Sequence, residues 1–268
     1  MLRVGTIFVS IVVIIIRIEK NMLIYMKQLL FLSVLCVIFG WDAISSKDIR
    51  AEKVYTEIEV TDGGTVVGNV KYMGDLSVTT LNLYRDWELT EPSKTASEKL
   101  IVSKLNNGLK LAVVSIIDIT AGKKRVIPTV HPIIDQQRNT FIPRVTAILA
   151  GTTIDILNGD EELHTIHTRT IKNQPFNFGT TYKQRIAKMF DYPEIIKLTC
   201  DIHKKTYAWI VVLDNPYFDT TDRNGYFEIC DIPPGTYKFQ VWHEDLGNLE
   251  KEVTIHPNEI TTIEFVYS

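Results

Sequence analysis

The chain is poor in cysteine and lacks the short motifs of most enzyme classes. Only three cysteines occur among 268 residues, Cys36, Cys200 and Cys230, which excludes a framework of several disulfides. The sequence contains no Cys-x-x-Cys-His, no His-x-His, no Gly-x-Ser-x-Gly and no glycine-rich nucleotide loop. These absences exclude c-type haem proteins, multicopper oxidases, serine hydrolases and nucleotide-binding enzymes. We therefore expect a protein that is not an enzyme.

Clustered charge and helical periodicity are also scarce. The formal net charge is -3 and no long basic run occurs. Nucleic acid is therefore not an expected partner, because phosphate binding needs clustered Lys and Arg. After residue 46 no stretch shows a sustained 3.6-residue apolar period with caps, although Lys183–Phe190 is compatible with a short helix.

The N-terminal region has the pattern of a targeting segment. Its apolar runs are shorter than the roughly 20 residues that span a bilayer. From Met26 onward, Lys27 provides a positive charge, Leu29–Phe39 an apolar run and Ala43–Ser45 a cleavage site with small residues. We predict that residues 1–45 are a signal peptide or a retained N-terminal anchor, the one membrane attachment expected. The mature protein is then periplasmic or otherwise extracytoplasmic.

From residue 63 onward, short β runs alternate with turns, which is typical of an all-β sandwich or barrel. The predicted strands are 64–70, 78–84, 109–117, 144–149, 195–198, 209–213, 238–242, 252–255 and 262–266. A boundary near residue 214 separates a predicted domain of residues 46–213 from a small β domain of residues 214–268. The second segment is too short to bury a stable core alone. We expect it to borrow a strand such as Thr65–Val70, or to dock on the first domain through Trp242 and Tyr217.

Histidines and one cysteine provide the candidate metal ligands. Cys200 and His203 lie three residues apart at a strand end, and His164 precedes them on a neighbouring strand. One thiolate and two imidazoles form a trigonal set that suits copper. Three alternatives remain open: a zinc ion that also uses His167, a disulfide between Cys200 and Cys230, and a packed core with free thiols. The zinc set is disfavoured, since residues three apart on a strand point to opposite faces.

An ordered series of motifs over roughly residues 63–247 resembles the cupredoxins, and more closely the exported plastocyanin-like proteins of the methylamine-utilisation type. The matching residues are Phe141, Pro143, Val145, Asn158, Asp160, His164, Cys200, His203, Pro216-Tyr217-Phe218, Thr221, Asp222, Gly225, Phe227, Pro233-Pro234-Gly235, Tyr237 and Trp242-His243-Glu244. The resemblance implies a cupredoxin-like Greek-key β-sandwich. It implies one type 1-like copper ion on His164, Cys200 and His203. It also implies one-electron transfer with an unidentified redox protein such as a cytochrome.

Three residues depart from the motifs of that family. Thr206 stands at the position of the axial Met, Thr165 at that of an Asn after the first His, and Arg144 where a His is common. By this resemblance Thr165 and Thr206 lie beside the cofactor, and Thr206 is at most a long or water-bridged axial neighbour.

The C-terminal segment resembles the transthyretin-like, carboxypeptidase regulatory-like β-sandwich, which is classed with carbohydrate-binding-like folds. The alternative function is a non-redox binding or structural module of the cell envelope. In this alternative the module is one that binds carbohydrate, and its copper site is degenerate.

Overall fold

The computed structural model describes residues 54–74 and 100–268. The chain divides into two units, residues 1–53 and 54–268, and the described residues all belong to the second. The predicted signal or anchor in residues 1–45 and the predicted strand at 78–84 lie outside the described residues. Within the described ranges, no helix is long and apolar enough to cross a membrane.

The protein is all-β, as the alternating sequence pattern predicts. The strands of the described residues are β1 (Thr56–Glu57), β2 (Gly64–Tyr72), β3 (Val113–Ile116), β4 (Ala121–Gly122), β5 (Ile133–Gln137), β6 (Thr140–Ile142), β7 (Val145–Leu149), β8 (Thr152–Asn158), β9 (His164–Thr168), β10 (Asn177–Thr180), β11 (Arg185–Phe190), β12 (Glu194–Thr199), β13 (Tyr207–Leu213), β14 (Phe218–Thr220), β15 (Tyr226–Ile232), β16 (Gly235–His243), β17 (Gly247–Ile255) and β18 (Ile260–Tyr267).

Residues 133–213 form one sandwich, which we name the central sandwich. Its five-stranded sheet has the order β10-β9-β12-β13-β7, and its four-stranded sheet has the order β11-β8-β5-β6. Alternate residues of both sheets point inward and exclude water, which is the main favourable term in folding. The buried cluster is Ile134, Phe141, Ile148, Ile154, Ile156, Ile166, Phe190, Ile196, Leu198, Cys200, Ala208, Ile210 and Val212. Cys200 therefore belongs to this apolar core.

Strands from both ends of the described chain form a second sandwich, which we name the terminal sandwich. Its sheets have the orders β14-β3-β16-β17 and β15-β2-β18. Strand β2 lies between β15 and β18, so the prediction that the C-terminal segment borrows residues 65–70 is confirmed. Strand β3 is likewise inserted between β14 and β16. The division of the chain at residue 214 remains a prediction, because these sheets combine strands from both sides of it.

The short helix considered for Lys183–Phe190 is wrong. This segment instead forms strand β11, which pairs antiparallel with β8 from Arg185↔Leu157 to Phe190↔Thr152. Its exposure alternates with a period of two, and Lys183 has a positive φ of 61°, which a helix does not accommodate. The N–H and C=O groups of β8 need partners on this side, and β11 supplies them.

Aromatic and charged side chains join the two sandwiches. Trp209 of β13 and Trp242 of β16 meet edge to face with ring centroids 5.5 Å apart, which confirms the expected docking through Trp242. Tyr217 is fully buried, but it lies in the core of the terminal sandwich rather than at the junction. Arg144, which precedes β7, forms a buried ion pair with Glu244, which follows β16. The junction is therefore both apolar and ionic.

Candidate metal centre

Three potential ligand atoms converge at one end of the central sandwich. The Sγ atom of Cys200 lies 3.8 Å from Nδ1 of His164 and 3.7 Å from Nδ1 of His203. The two Nδ1 atoms are 3.0 Å apart. Cys200 and His164 are buried, whereas His203 is partly exposed. In the described part of the chain this is the one group of three such residues close enough to share an ion. The structure thus brings together the three residues predicted from the sequence.

Strand ends and one tight turn place these side chains. His164 is the first residue of β9, and Cys200 directly follows β12, which pairs with β9 through Thr199↔His167. The turn from Cys200 to Thr206 is closed by two backbone bonds, Cys200 N–H to Thr206 C=O at 3.1 Å and Thr206 N–H to His203 C=O at 2.8 Å. The three-residue spacing therefore directs both side chains to the same side of a short loop.

Asp160 orients the imidazole of His164. Its Oδ2 lies 2.9 Å from Nε2 of His164, so Nε2 carries the proton and the Nδ1 lone pair faces the cluster. Asp160 is itself held by the backbone N–H groups of Arg138 (2.6 Å) and Asn139 (2.9 Å). Burial raises the pKa of Asp160, but these N–H bonds and His164 outweigh burial and lower it. A charged carboxylate therefore fixes the tautomer of His164.

An unusual turn aims those two N–H groups at Asp160. Arg138 and Asn139 connect β5 to β6, and both have positive φ values, 53° and 59°. A two-residue hairpin loop with positive φ at both positions is the type I′ turn. Arg138 is a strained choice there, and the carboxylate of Asp160 compensates by accepting both exposed N–H groups.

Hydrogen-bond donors surround the sulfur of Cys200. Thr165 donates its backbone N–H at 3.4 Å and its hydroxyl lies 3.7 Å away. Burial raises the pKa of the Cys200 thiol, but donors from Thr165, the His203 backbone and His164 outweigh it and lower the pKa to about 6. The thiolate is the form of cysteine that binds metals. Thr165 thus lies against the candidate ligand sulfur.

Thr206 is buried and its hydroxyl is hydrogen-bonded to the backbone. The hydroxyl donates to the backbone C=O of Asn139 at 2.5 Å. This bond ties the Cys200–Thr206 turn to the hairpin that holds Asp160. The role of Thr206 as a neighbour of the cofactor remains a prediction.

The donor set fits a single copper ion. Atoms bonded to one ion at about 2.0 Å (nitrogen) or about 2.3 Å (sulfur) lie no more than about 4.3 Å apart. All three separations in the cluster meet this limit. Two imidazoles with one thiolate form the trigonal set that is typical of blue-copper sites.

Two alternative interpretations of these residues fail. Cys200 and Cys230 are both free thiols, since Cys200 lies in the central sandwich and Cys230 in strand β15 of the terminal one. The disulfide alternative is therefore wrong. His167 points to the other face of β9 and pairs with Asp201 at 2.9 Å, so the four-ligand zinc set does not assemble.

Replacing Asp160 with Ala should weaken metal binding about 10- to 100-fold, because His164 loses the group that fixes its tautomer. The affinity for Cu(II) can be measured by competition with a chelator. Asp201→Ala is the matched control, since Asp201 binds His167 outside the cluster, and it should leave the affinity unchanged. Equal losses in both variants would show that Asp160 has no specific role.

From the sequence, Asp160 was recognisable only as a motif residue shortly before His164. Its hydrogen bond to His164, four residues later in the chain, depends on the loop between β8 and β9, which brings both side chains together. An Asp four residues before a candidate ligand was the available signal. The participation of the hairpin at residues 138–139 had no local signal, because it comes from a separate strand pair.

No protein-family model and no curated protein matches the sequence. Among solved structures, the chain is similar to a purple cupredoxin from Nitrosopumilus maritimus, with 19% identity over 31% of this chain and 99% of the other, at a TM-score of 0.28. It is also similar to a copper-containing nitrite reductase from Thermus scotoductus SA-01 (22% identity, 37% of this chain, 25% of the other, TM-score 0.31). A third match is a reduced amicyanin variant (13% identity, 32% of this chain, 86% of the other, TM-score 0.30).

Proposed function

We propose that this protein is an exported mononuclear copper protein that transfers single electrons and has no catalytic activity of its own. The observation that carries the proposal is the convergence of His164 Nδ1, Cys200 Sγ and His203 Nδ1. A bound copper ion would supply one-electron redox chemistry in such a set. His164, Cys200 and His203 provide the donor atoms, and the burial of His164 and Cys200 shields two of them from water.

A fixed ligand geometry favours rapid electron exchange, since little has to rearrange when the charge changes. Asp160 anchors His164, Thr165 supports the sulfur of Cys200 and the closed turn positions His203. His164 and Cys200 lie in the core, where the surrounding strands restrict their movement. The arrangement therefore suits a carrier rather than a site that opens to a substrate.

The surface around the exposed part of the His203 side chain is the proposed contact for a redox partner. The His203 side chain is 26% exposed, and the apolar side chains of Leu163 and Ile202, which directly precede His164 and His203 in the chain, are exposed as well. A partner that covers these side chains would bring its own redox centre close to the imidazole. We propose a redox protein such as a cytochrome in this role.

The extracytoplasmic location is also part of the proposal, and it rests on the signal-like pattern of residues 1–45. For the terminal sandwich we propose the carboxypeptidase regulatory-like class, on the basis of its sequence motifs. Its contribution to the function would be to support the central sandwich through the shared junction.

Optical and electron paramagnetic resonance spectra with added Cu(II) test the proposed function. We expect one equivalent to bind and to give an intense thiolate-to-copper charge-transfer band. Cys200→Ser should abolish this band, whereas Cys230→Ser, the matched control, should retain it because Cys230 lies in the terminal sandwich. A wild-type protein that stays colourless would refute the proposal and favour the non-redox envelope module.

A further inference from the structure

A glutamine side chain is sealed in the core of the central sandwich without a partner. Gln136 of β5 is 0% exposed. Neither its Oε1 nor its Nε2 has a hydrogen-bond partner among the residues that the structure describes. A buried amide without partners is unfavourable, and native proteins retain such groups chiefly where they bind water or an ion or have a functional role.

Strand β5 directs this side chain toward the interior that contains Cys200. Exposure along β5 alternates, so Ile134 and Gln136 point inward while Ile133 and Gln137 point outward. Ile134 belongs to the same buried cluster as Cys200 and Phe141. Gln136 is the next inward position along the strand and is paired with Phe141 on β6.

Residues next to Gln136, in space or along the chain, contact the residues that position the candidate ligands. On one side, Gly159 donates its N–H to the Gln136 carbonyl at 2.9 Å, and the next residue, Asp160, binds His164. On the other side, Asn139 of the hairpin turn accepts the hydroxyl of Thr206. Gln136 is therefore at the end of the sandwich where the ligand cluster lies.

A trigonal set of two imidazoles and one thiolate takes a weak, long axial donor, which is a thioether or an amide oxygen. The Thr206 hydroxyl donates a hydrogen bond to the backbone carbonyl of Asn139, and a short hydroxyl side chain is a poor substitute for a thioether. We propose that Oε1 of Gln136 supplies the axial donor, from a strand on the opposite sheet to the Cys200–Thr206 turn. This inference rests on the proposed copper function.

The first test compares reduction potentials. An oxygen donor favours Cu(II). Gln136→Leu should therefore raise the affinity for Cu(I) relative to Cu(II) about tenfold, which raises the reduction potential by about 59 mV for one electron. Gln136→Met keeps a donor and a similar length, and it should alter the charge-transfer spectrum even if the Leu variant folds poorly. Gln137→Leu is the matched control, because Gln137 is the same residue type on the outer face, and it should match the wild type.

The second test uses wild-type protein loaded with Co(II) and labelled with ¹⁵N at glutamine side chains. We expect one amide group, absent in Gln136→Met, to show a strong paramagnetic shift in its NMR signal. If every glutamine signal stays near its diamagnetic position and the potentials do not change, Gln136 binds only a buried water and the inference is overturned. If wild-type protein gives no thiolate band with Cu(II), the proposed function fails and this inference fails with it.

Discussion

His203→Gly is expected to lose the thiolate-to-copper band and to regain it when imidazole is added. His203 is the one partly exposed ligand of the cluster, with 26% of its side chain accessible. Its removal therefore opens a channel from solvent to the ligand position. A free imidazole that enters this channel can provide the nitrogen that the protein has lost.

His164→Gly is the matched comparison, and imidazole should not restore its band. His164 is 0% exposed, and its strand β9 lies between β10, which pairs with it through Thr180↔His164, and β12. Titration of each variant with imidazole at fixed Cu(II), followed by absorbance, measures the difference. Recovery of both variants, or of neither, would contradict the orientation of the site that we describe.

Glu244→Ala should lower the free energy of unfolding by about 3–5 kcal/mol, because it leaves a buried cation without its partner. The Glu244 carboxylate accepts Arg144 Nε at 2.5 Å and Nη2 at 3.1 Å, and also the indole N–H of Trp209 at 2.8 Å. The side chains of Arg144 and Glu244 are 8% and 3% exposed. Arg144 also stacks on Tyr207, with 4.0 Å from its Cζ to the ring centroid.

Urea unfolding followed by tryptophan fluorescence measures this loss. Glu250→Ala is the control, since Glu250 pairs with Lys238 at 3.9 Å on an exposed surface, and such pairs contribute about 0–1 kcal/mol after solvent screening. A double variant, Arg144→Met with Glu244→Leu, should be more stable than Glu244→Ala because it removes both buried charges. A double variant that is less stable than the single one would contradict the electrostatic explanation.

The convergence of the candidate ligands was predictable in part, because the geometry of Cys200 and His203 is local. Cys200 and His203 share one tight turn, and a spacing of three residues is enough to place both side chains on one side of it. His164 was predicted from its position on a neighbouring strand and from the family resemblance, in which it follows Asn158 and Asp160. The opposite orientation of His167 followed from the period of two along a strand, and its pairing with Asp201 agrees with it.

Contacts between distant segments were not predictable from the same patterns. Glu244 belongs to a recognised motif and Arg144 departs from one, but they are 100 residues apart in the chain, and nothing local pairs them. Gln136 gave no signal either, because residues 133–137 have no clear strand pattern and a polar residue in a loop needs no partner. Lys183–Phe190 has a pattern compatible with a helix, and only the unpaired edge of β8 makes it a strand.

The sequence by itself determined the all-β character and the chemistry of the candidate ligands, since both depend on periodicity, turn residues and side-chain types within a few positions. The tertiary structure decided which strands share a sheet, and it inserted β2 between β15 and β18. It also decided which polar groups are buried together, as with Arg144 and Glu244. The physical reason is that strand pairing and burial are stabilised by contacts between residues far apart in the chain. A short stretch of sequence does not specify which of these residues meet.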